Sequence, residues 1–299
     1  MITVIIPTLG LSNILKKILF FLNFQVFKDF EVIVVDNSEM KSELSVNTRY
    51  NLKIVNTGSL GGNFYKTKSF ARNLGLILSK TEYVLFIDAD MIPHPLLISE
   101  HLEILKRYKN TAVVGLELRT IKENEYENVL RDIQNIDNCS QLEGLFCRTF
   151  SNRSRRILTN RKIEWYKFLT GNLSGKREFF IKVGMFNTDF VSYGFEDLEL
   201  GYRFDKFGIN ITFNPKALTI HLHPLSVEKR IENKKDSVKN LKKFYQTYGN
   251  KKILQILGIN VYSRLIYDYL PLPFKNLLQE INDDYRTNYN FWREWNTKN

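Results

Sequence analysis

Two aspartates separated by a single alanine, Asp88 and Asp90, close the apolar run Tyr83-Val84-Leu85-Phe86-Ile87. A run of this kind reads as a buried strand, which puts both carboxylates at its C-terminal edge, where α/β sheets bind ligands. Two close acids with little steric cover suit a hard divalent ion, Mg2+ or Mn2+, shared with a diphosphate. Taken alone, the same pattern describes a solvated acidic turn. A second acid pair, Glu196-Asp197, follows Tyr193-Gly194-Phe195 and opens a helical pattern with Leu198, Tyr202 and Phe204 facing inward. The positive end of the helix dipole there favours ionised carboxylates, as a general base requires. Capping would explain one acid but not the glycine-aromatic lead-in. Ile220-His221-Leu222-His223-Pro224 carries two of the four histidines. Strand alternation points both rings to one face, open to a metal or simply half-exposed.

Weaker signals lie upstream. Asp36 ends the apolar run Glu31 to Val35 and precedes Asn37-Ser38, so it suits either a hydrogen bond to a base or ribose or a turn cap. Within Ala71-Arg72-Asn73-Leu74-Gly75, Arg72 beside Asn73 can reach a phosphate or base edge, and Gly75 permits close approach. Gly58-Ser59-Leu60-Gly61-Gly62-Asn63 lacks the Gly-Lys-Ser/Thr ending of a P-loop and is rejected as one. Gly171-Asn172-Leu173-Ser174-Gly175 reads as a glycine-flanked polar turn that can offer backbone groups to a sugar.

The elements that must position these residues alternate between strand and helix. Strands are expected at Thr3 to Thr8, Glu31 to Asp36, Leu52 to Asn56, Glu82 to Asp88 and Ala112 to Leu118. Helices are expected at Ser12 to Phe24, with Ser12 as N-cap, at Lys68 to Ser79 and at Pro95 to Tyr108. This is a βαβ series, and strands so apolar imply a mostly parallel sheet covered on both faces. Lys122 to Arg161 reads as an irregular polar excursion. Regularity resumes at Glu178 to Val183, Leu198 to Phe207 and a late strand at Ile211 to Phe213. From Ser226 the chain becomes helical, basic and aromatic. Its 299 residues, 43% hydrophobic and 25% charged, are ordinary for a globular protein, with no apolar stretch long enough to span a bilayer and no secretory signal pattern at the start. Cys139 and Cys147 are too few for a disulfide framework and read as reduced thiols. The net charge of +11 attracts polyanions without choosing among them, and no nucleic-acid reader motif accompanies it.

In their order and spacing, Pro7-Thr8, Asp36, Ala71-Arg72-Asn73-Leu74-Gly75, Asp88-Ala89-Asp90, Gly171-Asn172 and Gly194-Phe195-Glu196-Asp197 resemble the GT-A fold of glycosyltransferase family 2, inverting enzymes that use nucleotide-diphosphate sugars. The Gly-Asn turn, the Glu-Asp helix and a downstream His are similar to a galactosyl- and N-acetylgalactosaminyl-transferase-like subgroup that includes bacterial chondroitin-type polymerase domains and β-1,4-galactosyltransferases. That subgroup often has Trp-Gly-Gly before the Glu-Asp pair, where this chain has Tyr193-Gly194-Phe195.

The resemblance implies a catalytic domain over 1–225, with a nucleotide-sugar half over about 1–118 and an acceptor half over about 162–225, followed by a helical extension over 226–299. It implies a donor site of Pro7, Thr8, Asp36, Arg72, Asn73, Asp88, Ala89, Asp90, Gly171 and Asn172. Asp90 would ligate Mn2+ or Mg2+, with Asp88 at the ribose or the metal's water shell and His221, or alternatively His223, completing the set. Asp197 would act as base, and Glu196 would position the acceptor. The implied reaction moves a Gal, GalNAc, Glc or GlcNAc type sugar from a UDP-sugar to a glycan, lipid-linked or protein hydroxyl, in bacterial surface polysaccharide or glycoconjugate synthesis. The alternative is a nucleotide-sugar-binding scaffold without activity. A cytoplasmic location is expected, with peripheral contact at the inner membrane face through the basic extension; nucleic acid is not an expected partner, and homo-oligomerisation is left open.

Overall fold

A computed structural model of the chain describes residues 1–39, 45–58, 67–120, 123–151, 160–191, 193–222, 227–250 and 253. Its strands are β1 (Ile2–Thr8), β2 (Phe30–Asp36), β3 (Asn51–Asn56), β4 (Tyr83–Ile87), β5 (Met91–Pro93), β6 (Thr111–Arg119), β7 (Arg161–Lys162), β8 (Asn172–Lys176) and β9 (Asn210–His221). The helices are α1 (Asn13–Leu22), α2 (Lys68–Leu78), α3 (Leu97–Arg107), α4 (Glu123–Gln134), α5 (Cys139–Ser151), α6 (Arg177–Lys182), α7 (Glu196–Lys206) and α8 (Val227–Tyr248). The nine strands among the described residues join one sheet in the order β3-β2-β1-β4-β8-β6-β9-β5, with β7 also on β9.

The apolar runs of β1, β2 and β4 are buried almost throughout, because helices cover both faces of the parallel half. Ser12 Oγ accepts from Leu15 N at 3.1 Å and starts α1 as its spacing predicts. Thr67 Oγ1 does the same for α2 through Phe70 N. Helix α2 lies directly on β1: a Cβ at Gly75 would sit 2.3 Å from Ile5 Cγ2, so only glycine permits this approach. One turn earlier, that contact fixes Arg72 above the strand ends.

The expected α/β sheet flanked by helices is present, its parallel half β3-β2-β1-β4 joined to β8, which pairs antiparallel with both β4 and β6. Three local expectations are corrected. The Gly171–Gly175 segment is mostly strand rather than turn, its small residues fitting a tight place: a Cβ on Gly171 would meet Met91 Cε at 2.5 Å, and one on Gly175 would meet Phe180 Cε2 at 2.9 Å. Residues 122–161 contain α4 and α5 rather than an irregular excursion. Their average polarity hides one apolar stripe, Val129, Ile133, Leu142, Leu145 and Phe146, which packs with Ile92, Leu118 and Ile220. The late strand also runs on to His221, through a register shift after Gly115 of β6.

Two compact units result, Met1–Val191 with Glu196–Pro224, and Ser192–Phe195 with Leu225–Asn299. In the second, α8 spans 22 residues, and Asn240 Nδ2 donates to Gly194 O at 2.7 Å. No helix among the described residues is long and apolar enough to cross a membrane. Most of the basic aromatic tail and His223 lie outside the described residues.

Candidate functional site

The C-terminal ends of β1 and β4 and the start of α2 enclose a cavity of about 250 Å³ lined by Pro7, Thr8, Leu9, Gly10, Lys68, Ala71, Asp88, Ala89 and Asp90, among others. Asp88 is positioned by its own N–H, which donates to Gly171 O at 3.2 Å where β4 leaves β8. Its carboxylate carries two cations: Lys68 Nζ at 2.9 Å on Oδ2 and Arg72 Nη2 at 3.0 Å on Oδ1. Burial pushes the Asp88 pKa up, but Lys68 and Arg72 outweigh it and hold the group well below the usual carboxylate range. In turn, Asp88 raises the proton affinity of Lys68.

Arg72 is itself 1% exposed, and its other prong, Nη1, donates to Glu196 Oε1 at 3.2 Å. One guanidinium thus joins the end of β4 to the start of α7. Glu196 Oε2 is buried and has no hydrogen-bond partner among the described residues. Such an oxygen is ready to accept from a bound hydroxyl. Next to it, Asp197 Oδ1 accepts from Leu198 N at 2.8 Å. Burial first, and then the Glu196 charge, push the Asp197 carboxyl up to about 7, against the lowering pull of Arg72 and of backbone N–H groups. The helix dipole therefore does not leave this acid strongly ionised, as its position in the sequence suggests. Desolvation wins.

On the opposite side, β5 pairs antiparallel with β9 and sets Met91 against His221. Leu222 N donates to Asp90 O at 3.0 Å, and His221 Nε2 stands 3.3 Å from Asp90 Oδ2. Glu117, bound to Arg119 Nη2 at 2.9 Å, approaches the other ring nitrogen of His221 at 4.0 Å. No group of three or more His, Cys, Asp or Glu among the described residues is arranged to hold an ion. Asp90 and His221 offer two converging donor atoms, which fits a divalent cation that takes its remaining ligands from phosphate oxygens and water.

Several expected donor ligands are committed elsewhere. Asp36, 1% exposed, accepts from Gly10 N at 2.8 Å, Ser38 N at 3.0 Å, Ser38 Oγ at 2.7 Å and Asn56 Nδ2 at 3.1 Å. It caps the turns beside the cavity. Asn73 clamps Phe186 in both directions, each at 2.8 Å. Asn172, fully buried, contacts His101 Nε2 at 2.7 Å and donates to Ala217 O at 2.9 Å. Ser174 completes that network on His101 Nδ1 at 2.8 Å, and burial lowers the His101 pKa to about 4. Sequence reasoning missed Lys68 and His101. Lys68 was within reach, since it lies four residues before Arg72 and so shares its helix face. His101 gave no signal, because its partners come from a strand more than 70 residues away.

Two family models match the chain, Glycosyl transferase family 2 over residues 3–183 and the N-terminal domain of galactosyltransferase over residues 154–225. The chondroitin synthase of Escherichia coli is 27% identical over 244 residues, covering 75% of this chain and 35% of that protein. The chain thus spans about a third of that relative's length. Among solved GT-A structures, the mannosyltransferase PcManGT from Pyrobaculum calidifontis, in complex with GDP-Man and Mn2+, superposes with a TM-score of 0.57 at 18% identity, over 96% of this chain and 75% of that one. S. aureus TarS 1-349 in complex with UDP gives 0.53 at 14% identity, over 98% and 91%. At these identities the likeness speaks for the fold.

Proposed function

The chain belongs to glycosyltransferase family 2, and from that premise we propose that it moves a hexose-type sugar from a UDP-sugar to a glycan hydroxyl with inversion, using a divalent cation. One observation carries the reading: Asp88 of the donor cavity and Glu196, the neighbour of Asp197, meet on a single buried guanidinium, Arg72. A nucleotide binder needs the first acid but has no use for a desolvated carboxyl with a pKa of about 7 beside it.

In the proposed reaction the acceptor hydroxyl rests on the vacant Glu196 Oε2 and gives its proton to Asp197. The hydroxyl oxygen forms a bond to the anomeric carbon as the bond from that carbon to the diphosphate oxygen breaks, and the bonding pair leaves on UDP. A pKa near 7 leaves Asp197 basic enough to take the proton yet substantially ionised at neutral pH. Asp90 and His221 would hold Mn2+ or Mg2+, which supplies charge neutralisation to the leaving diphosphate. Lys68 adds a second positive group on the cavity wall, one that requires no metal. UDP as carrier is supported by the galactosyltransferase-type match over the second half of the core and by the UDP held in the TarS structure.

Release of nucleotide from a panel of UDP-sugars and GDP-mannose, with Mn2+ or with EDTA, tests this reading. Turnover of a UDP-hexose that EDTA abolishes is expected. Turnover of GDP-mannose alone would overturn the carrier assignment, and unchanged rates in EDTA would overturn the cation.

A further inference from the structure

The resemblance to known transferases puts Arg72 against the nucleotide, but its surroundings give it another task. The side chain is among the largest that are fully buried, and both terminal nitrogens are spent on carboxylates from different elements, Asp88 at 3.0 Å and Glu196 at 3.2 Å. Its guanidinium carbon sits 5.3 Å from the centroid of the Phe186 ring, and Asn73 fixes Phe186 by two backbone hydrogen bonds. Behind it, the contact between Gly75 and Ile5 pins α2 to β1. To meet a nucleotide, the fork would have to leave Glu196 without its cation and Asp88 with Lys68 alone, a costly exchange. Lys68, by contrast, lines the cavity with its side chain half-exposed.

We infer that Arg72 is a positioning residue, a strut that holds the acceptor-side pair Glu196-Asp197 in register with the donor-side Asp88 and touches neither donor nor acceptor. This rests on the transferase reading above and deepens it. A planar fork reaching two carboxylates at once cannot be replaced by the single ammonium of lysine, even though the charge is kept. Replacement should therefore misplace the base while sparing the nucleotide.

The experiment compares wild type, Arg72→Lys, Glu196→Gln and the double variant, each first checked for a cooperative thermal melt. UDP affinity is measured by calorimetry with Mn2+, and kcat and KM for the UDP-sugar are measured separately. Arg72→Lys is expected to bind UDP within about threefold of wild type, keep its donor KM and lose at least tenfold in kcat. If the strut acts through Glu196, the double variant falls no further than the worse single variant, because the second change removes a contact already lost. A tenfold loss of UDP affinity in Arg72→Lys, or kcat losses that multiply in the double variant, would overturn the assignment. Should Arg72→Lys fail to fold, the Arg72→Gln/Glu196→Gln pair, which removes both charges together, carries the same UDP comparison. A wild type that binds UDP but transfers nothing sinks the transferase reading and leaves the affinity comparison standing; one that binds no nucleotide sinks both.

Discussion

At the scale of single residues, the two aspartates of the Asp88-Ala89-Asp90 motif live in different physical worlds. Asp88 is neutralised by Lys68 and Arg72 and largely buried, while Asp90 is 43% exposed and faces His221. Asp90→Asn should therefore weaken Mn2+-dependent UDP binding at least tenfold with little change in Tm. Asp88→Asn should lower Tm by several degrees, since it takes one carboxylate from the buried Arg72 and the partner of Lys68. Calorimetry and thermal melts on the two variants decide this, and a large loss of Mn2+ affinity in Asp88→Asn without thermal cost would contradict the division. The motif's location at a strand end was legible from the apolar run before it. What each acid does was not, because Lys68 and Arg72 reach Asp88 from another element, and no spacing within the motif encodes that. Asn172 misled for a similar reason: flanked by glycines it reads as a turn, yet it lies inside the sheet, where Gly115 of a neighbouring strand leaves room for its side chain.

Among the elements, α2 carries most of the site's order. Its Thr67 cap and its Gly75 contact with Ile5 decide where Lys68 and Arg72 stand. Gly75→Ala would drive a methyl into Ile5, an overpacking that typically costs about 1–3 kcal/mol. The expected result is a lower Tm together with a fall in kcat, as the helix lifts and carries Arg72 with it. A fall in Tm with kcat untouched would show that the helix position is not transmitted to the site. The alternation of strands and helices over the first 120 residues was readable because β1, β2 and β4 are buried almost throughout and each helix has one apolar stripe. Helices α4 and α5 escaped the same reading because their stripe is narrow and their remaining surface is polar.

For the molecule as a whole, three groups held in perturbed surroundings shape the response of stability to pH. Asp197 has a folded pKa of about 7 against 3.8 unfolded, so the folded chain holds the extra proton and its stability contribution is lost as pH rises across that interval. His101 runs the other way: with about 4 folded and 6.5 unfolded, the unfolded chain takes the proton, and stability is lost as pH falls through that range. Asp88, held low, adds stability above 3.8 that is lost on further acidification. His101→Gln should thus blunt the loss of Tm between pH 6.5 and 4, and Asp197→Asn should raise Tm at pH 8 more than at pH 5. Melts across pH check both, and a gain for Asp197→Asn that is equal at the two values would contradict its raised pKa. That stabilising change is also the one that should cost the chemistry most. General-base help is worth about 10²–10⁴-fold in rate, so sugar transfer by Asp197→Asn, measured with acceptor present, is predicted to fall at least a hundredfold while Mn2+-dependent UDP binding holds within about threefold. Transfer at the wild-type rate by a variant that cannot take the proton would contradict the account at its centre.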